Sequence, residues 1–261
     1  MSVAGVSMMR NEADVVEDVV RHMATQVDRL IVADNGSSDG TREILERLAC
    51  ELPLTVVDDP EVAYRQSEKM TALAERAAAD GAVWIVPFDA DEIWYSPSGT
   101  IREVLPDVPS RVVRAELYNH LRTSLDGPES CPFEAMAWRQ QEPGALPKIA
   151  FRWERGAVIE QGNHGVLLPS EAELFQDPAG GVLELRHFPV RSADHLILKA
   201  RQGAAAYAAA PELDEDMGAH WRAWGRLTDD QLREVYREHW WYLSPVDAGL
   251  IHDPAPLRSV R

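Results

Sequence analysis

The chain has 261 residues, 45% of them apolar and 26% charged, and a formal net charge of −17. This composition fits a globular core; no apolar run approaches the roughly 20 residues of a membrane span, so stable membrane insertion is not expected, and the acidic balance opposes non-specific binding to nucleic acid or anionic lipid. Two cysteines make no framework, so free buried thiols are expected, and a start without a basic region or cleavage signal points to the cytoplasm.

Residues 3–8 read as a first strand. Asn11 then looks like the cap of a helix, with Asp14 three positions on as in a capping box. Val15, Val16, Val19, Val20 and Met23 follow at helical spacing. A strand over 30–34, a loop over 35–40 and a helix with Ile44, Leu45 and Leu48 on one face come next. Then follow a strand over 54–58, a helix over 67–80 and a strand over 82–88. Strands alternating with helices imply a parallel sheet with right-handed crossovers, half of a Rossmann-like nucleotide site. After Glu92 the pattern changes to mixed sheet, with strands expected over 111–117, 135–139, 149–152 and 182–188. Helices are expected over 192–210 and 227–242. The acidic run 211–217 reads as a solvated loop, and Trp221 and Trp224, at i and i+3, as the buried face of a helix.

Asp89 and Asp91 stand i, i+2 at the end of the fourth strand. Strand alternation puts both on one side and turns Ala90 away. Two such carboxylates form a nest for a hard divalent cation, which often keeps substrate phosphates as its remaining ligands; an acidic loop after a strand is the plainer alternative. Without a metal the pair would repel, so removing one carboxylate is expected to stabilise the empty protein. In the string from Asp34 to Thr41, the glycines allow a tight turn, Asp39 can cap the next helix, and Asp34 can accept hydrogen bonds from a base or ribose. An ordinary strand-to-helix turn would look similar. The glycine spacing is not the dinucleotide pattern, which argues against NAD.

Taken in order, Met9-Arg10-Asn11-Glu12, the string from Asp34 to Thr41, and Asp89-Ala90-Asp91-Glu92 resemble family-2-like glycosyltransferases of the α/β GT-A fold. The likeness covers roughly the first hundred residues, and three ordered motifs are more specific than any one. It implies a nucleoside-diphosphate sugar as donor, an acceptor hydroxyl, and Mn²⁺ or Mg²⁺ bridging the diphosphate to the aspartates. The donor-binding residues it implies are Met9, Arg10, Asn11, Glu12, Asp34, Asn35, Gly36, Asp58, Arg65, Lys69, Asp89 and Ala90. Asp34 and Asp58 would lie near the base, Asp89 would face ribose or metal, and Asp91 would be the principal metal ligand.

A second likeness is to the tail of a bacterial subgroup. It rests on Lys148-Ile149-Ala150-Phe151-Arg152, Gly162-Asn163-His164, Leu185-Arg186-His187-Phe188, Arg191-Ser192 and Lys199. It implies that His187 completes the metal site with Asp89 and Asp91, and that Lys148 binds the diphosphate; a structural histidine and a solvated lysine are the alternatives. Leu183, Leu185 and His187 share one side of their strand, whose end is expected to meet the fourth strand. In related enzymes a carboxylate often follows the histidine at the His164 position, but here Gly165 stands there. Either His164 is the general base, or Glu160 or Asp126 supplies it, or configuration is retained. The catalytic set is therefore His164, Glu160 and Asp91.

A single domain is expected, with a nucleotide-sugar half over 1–95, an acceptor and metal-completing half over 96–190, and carboxyl-terminal helices over 191–261. The activity implied is metal-dependent glycosyl transfer. The alternatives are a non-catalytic nucleotide-sugar-binding protein of the same fold and a sugar-phosphate nucleotidyltransferase. The second lacks the glycine-rich loop it would want after the first strand. A phosphatase using Asp-x-Asp would carry the pair on its first strand.

Overall fold

A computed structural model describes residues 1–127, 131–170, 181–214 and 216–258. The first ninety residues follow the expected alternation: β1 Val3–Met9, α1 Val16–Gln26, β2 Arg29–Asp34, α2 Thr41–Ala49, β3 Leu54–Asp58, α3 Gln66–Ala79 and β4 Trp84–Pro87. Next come β5 Glu92–Tyr95, α4 Ile101–Val104, β6 Val112–Asn119, β7 Arg122–Thr123, α5 Pro132–Ala135, β8 Trp138–Gln140, β9 Lys148–Arg152, β10 Val158–Ile159 and β11 Val166–Leu167. The chain ends with β12 Leu183–His187, α6 Ala193–Ala208, α7 Ala219–Trp224, α8 Asp229–His239, β13 Trp241–Tyr242 and β14 Leu250–His252.

Eight strands form one mixed sheet in the order β3-β2-β1-β4-β9-β6-β12-β5. β1 to β4 run parallel, and β9 then pairs antiparallel with β4 and with β6. Successive residues of β1 point to opposite faces. Val3 joins the cluster built with Val16, Val19 and Val20 of α1, while Ala4 and Val6 join the cluster with Met70, Leu73 and Ala74 of α3. The sheet is thus covered on both sides, which is what a parallel arrangement requires.

β4 and β5 are adjacent in sequence but four places apart in the sheet. Four strand spacings make about 19 Å in a flat sheet. The link 88–91 spans at most about 18 Å when fully extended. The sheet therefore curls, and the short link carrying both aspartates crosses its concavity.

Several local expectations change. Asn11 caps nothing: it sits at φ 54°, a left-handed value that Asn tolerates, and α1 starts five residues later. Its Oδ1 accepts from Ser38 N–H, tying the two loops together. The segment 135–139 is not one strand, because Pro132 opens a helical turn that ends at Ala135. Cys50 is exposed rather than buried, and both cysteines are free. Trp221 and Trp224 do not bury a helix face, since α7 contains no buried residue. Residue 215 of the acidic run lies outside the described residues.

Candidate functional site

The carboxyl ends of β1, β2 and β4 open into a pocket of about 290 Å³. Crevices outside such strand ends are where open α/β sheets bind ligands. Of the expected site residues, Met9, Arg10, Glu12, Asn35, Asp89, Ala90, Asp91 and His187 line it. α6 covers the other side. Lys199, Gln202, Gly203 and Ala206 stand at i, i+3, i+4 and i+7, one face of that helix, and all four line the pocket. Ser192 caps α6 through His195 N–H at 3.0 Å, which fixes where this face begins.

Asp91 lies in the turn before β5, not on a strand. Lys199 Nζ donates to its Oδ2 at 2.7 Å. Burial alone would raise this carboxyl, but Lys199, with His187 and Arg191, outweighs burial and holds it far below the usual range. His187 reaches Asp91 by a route other than the expected one. β12 pairs not with β4 but with β5, His187 facing Glu92, and Phe188 N–H donates to Asp91 O. His187 Nε2 then stands 3.7 Å from Asp91 Oδ1, while Nδ1 donates to Asn119 Oδ1 at 2.7 Å. That second bond leaves the Nε2 lone pair facing the carboxylate. Burial lowers the imidazole to about 4, with Lys148 and Lys199 acting in the same direction and Asp91 opposing, so the ring is neutral at pH 7.

Asp89 is held differently. Lys148 Nζ donates to its Oδ2, and Asn163 Nδ2 to its Oδ1 at 3.0 Å. Carrying the β4–β9 register onward puts Lys148 level with Phe88, which is why it meets the next residue. Lys148 also pairs with the fully buried Glu92 at 3.0 Å. Burial raises the Asp89 carboxyl, and Glu92 and Asp91 add to this against Lys148: two carboxylates share one ammonium. Lys148 is itself buried and does not line the pocket, so the lysine that faces the pocket is Lys199. Arg10 also faces the pocket, with a buried Nε that has no partner.

The remaining expected residues stand around this centre. Asp34 is buried, its Oδ1 accepting from Ser37 N–H and its Oδ2 3.9 Å from Arg42. Gly36 turns the chain at φ 68°. Asp58 is exposed and pairs with Arg42. Lys69 pairs with Asp59 at 2.7 Å, and Arg65 with Glu212 at 3.1 Å. His164 and Glu160 flank the turn between β10 and β11 and do not line the pocket; His164 Nδ1 faces Pro147 O at 2.9 Å. Asp126 is held by Arg122 and Thr123. Asn163, buried at φ 60°, is the residue of this turn that reaches Asp89. Its glycine-framed position was the signal for it. Asn119, Gln202 and Tyr207 carried no signal, because they reach the site only through sheet pairing and helix packing.

Glu12 also faces the pocket. Its Oε2 accepts from the buried Arg191, which in turn holds Asp14 at 2.7 Å. Burial raises the Glu12 carboxyl, against Arg191 and Lys199. No group of three or more His, Cys, Asp and Glu among the described residues stands close enough to hold a metal ion by itself. The fit is of a different kind: Asp91 Oδ1 and His187 Nε2 face one another as two donor atoms beyond hydrogen-bond distance, beside an open pocket. A carboxylate oxygen suits Mn²⁺ or Mg²⁺ whose other ligands are phosphate and water, and the neutral imidazole favours Mn²⁺ of the two. Asp89 lines the same pocket, with its two oxygens accepting from Lys148 and Asn163.

Residues 6–105 match the family model described as Glycosyl transferase family 2. No curated protein matches the chain. Among solved structures, S. aureus TarS 1–349 is similar with a TM-score of 0.41 at 12% identity, over 86% of this chain and 70% of that one. The same protein in complex with UDP gives 0.39 at 14% identity, over 91% and 71%. In complex with UDP-GlcNAc it gives 0.37 at 13% identity, over 58% and 45%. No described helix is long and apolar enough to cross a membrane.

Proposed function

We propose that this chain, a family-2-like glycosyltransferase with the GT-A fold whose residues 6–105 carry the family segment, transfers a sugar from a nucleoside-diphosphate donor to an acceptor hydroxyl with the help of a divalent cation. The observation that carries the reading is the pairing of Asp91 Oδ1 with the unprotonated His187 Nε2 at 3.7 Å, at the edge of a pocket lined by Lys199 and Arg10. In this reading the base and ribose lie towards Asp34 and Asn35, and the diphosphate lies between Arg10, Lys199 and Asp91. Asp91 and His187 would hold the ion, which when bound would supply Lewis-acid stabilisation of the negative charge on the departing diphosphate.

The chain's own groups do the rest. Lys199 turns from Asp91 to the phosphate oxygens and so keeps its counter-charge throughout. Asn119 fixes the His187 tautomer. Lys148, Asn163 and Glu92 hold the turn that presents Asp91. The acceptor oxygen bonds to the anomeric carbon as the carbon–phosphate-oxygen bond breaks. Of the pocket carboxylates, Glu12 is the one suited to take the acceptor proton, since burial makes it more basic than an ordinary carboxylate while Arg191 binds only its Oε2.

The test is a thermal-shift series with UDP, GDP and dTDP, each with and without Mn²⁺. Binding at about a hundred times Kd stabilises the native state by about 2.7 kcal/mol, a rise of roughly 5–10 °C for a chain of this size. EDTA should remove most of that rise. No rise with any of the three nucleotides would reject the reading.

A further inference from the structure

A second cavity, of about 390 Å³, adjoins the first. Trp221 and Trp224 of α7, Trp240 just after α8, and His220 form its walls, and it shares Trp221, His187 and Lys199 with the donor pocket. These indoles are half-buried, and α7 buries none of its residues. A surface helix normally turns its apolar side into the core. α7 instead turns its indoles towards a hollow.

The helix is nevertheless seated closely. A Cβ on Gly203 of α6 would fall 2.8 Å from the Trp221 ring, and one on Gly225 would fall 2.3 Å from Ala204 Cβ. Trp221 and Trp224 meet edge to face, with centroids 5.5 Å apart. The aromatic wall is therefore held in one arrangement by backbone contacts that only glycine permits.

The chemistry of the wall is lopsided. Among the described residues, no carboxylate and no carboxamide lines this cavity. Its side-chain polar groups are the indole N–H donors of the three tryptophans, the imidazole of His220 and, where it meets the donor pocket, His187 and Lys199, so among the described residues the only side-chain acceptors are imidazole nitrogens. A ring bearing several hydroxyls would leave most of them without partners here, at roughly 1–3 kcal/mol each. A ring with an apolar body and one hydroxyl would bury its faces on indole and keep its oxygen at the polar end.

We propose that this cavity is the acceptor subsite, and that the acceptor is an alcohol on an apolar ring, aryl or alicyclic, rather than a free sugar; the acceptor role rests on the glycosyltransferase reading above. The ring lies among Trp221, Trp224 and Trp240, and the hydroxyl emerges at His187 and Lys199. On transfer, that oxygen bonds to the anomeric carbon, the bond from carbon to the phosphate oxygen breaks with its electron pair leaving on the diphosphate, and the hydroxyl proton passes to a pocket carboxylate.

Calorimetric titration of the full chain with 2-naphthol and, separately, with methyl glucopyranoside tests this. The naphthol should bind at least about tenfold more tightly, and Trp224→Leu and Trp240→Leu should each weaken it by about tenfold. Both variants should keep the thermal shift with nucleoside diphosphate and Mn²⁺, which also reports that they fold. Equal or tighter binding of the glucoside, or naphthol binding unchanged in both variants, overturns the proposal. Naphthol binding that responds to the tryptophans, in a chain that shifts with no nucleotide, would overturn the acceptor role and the glycosyltransferase reading together, leaving the aryl-alcohol cavity in place.

Discussion

Asp91 is the residue on which most of the chemistry converges, and its surroundings reverse a simple expectation. Two carboxylates two positions apart should repel, and removing one should stabilise the empty protein. The structure instead gives each its own ammonium group, Lys199 on Asp91 and Lys148 on Asp89. Asp91→Asn therefore leaves the largely buried Lys199 without its counter-charge. We expect a loss of about 2 kcal/mol in urea unfolding, with transfer reduced at least about a hundredfold. Adding Lys199→Met to Asp91→Asn should recover much of the stability and none of the activity. A variant as stable as the parent would show that the ion pair contributes nothing. Asn119→Ala probes the neighbouring contact: with the His187 ring free to change tautomer, the Mn²⁺-dependent part of the nucleotide thermal shift should require about 10–100-fold more metal. An unchanged metal titration would separate Asn119 from the site.

Among the elements, α1, β5 and the carboxyl-terminal segment are joined through one buried histidine. His22 Nε2–H donates to Trp94 O at 2.6 Å, and its Nδ1 accepts from Arg258 N–H at 2.9 Å. Burial lowers this imidazole to about 4, and burial likewise lowers His120, whose Nδ1 faces Met136 O, to about 3. In the unfolded chain each takes up its proton near pH 6.5. Below that pH the unfolded state binds protons that the native state refuses. Stability is thus full above about pH 6.5 and drains as pH falls towards 4, by up to about 3 kcal/mol per histidine. Urea midpoints measured at pH 7.5, 6 and 5 should fall in that order, and His22→Gln should flatten the slope. A midpoint independent of pH over this range would mean that the rings are already charged in the fold.

At the scale of the whole molecule, 43 acidic side chains face 26 basic ones. Their mutual repulsion works against the compact state. Raising NaCl from about 20 to about 200 mM shortens the screening length from roughly 20 Å to 7 Å and should raise the melting temperature by a few degrees. A fall would mean that surface pairs such as Arg47 with Glu17 outweigh the net repulsion. On the proposed reading, the same balance is why an anionic donor would need the local cations Arg10 and Lys199, which line the pocket. From the sequence alone, the alternation of apolar runs with helical periodicity determined β1 to β4 and the helices between them, because those elements follow from local patterns repeating every 2 or 3.6 residues. Ordered motifs marked Glu12, Asn35, Asp89 and Asp91 as neighbours, because loops after successive parallel strands open at one end of a sheet. What the tertiary structure decided was the rest of the site. The link 88–91 crosses the curled sheet to β5 at its far edge and brings Asp91 to His187. α6 brings Lys199, and the turn at Asn163 brings a second hold on Asp89. Those contacts join residues 74 to 108 positions apart, and no local periodicity specifies which distant elements will pair.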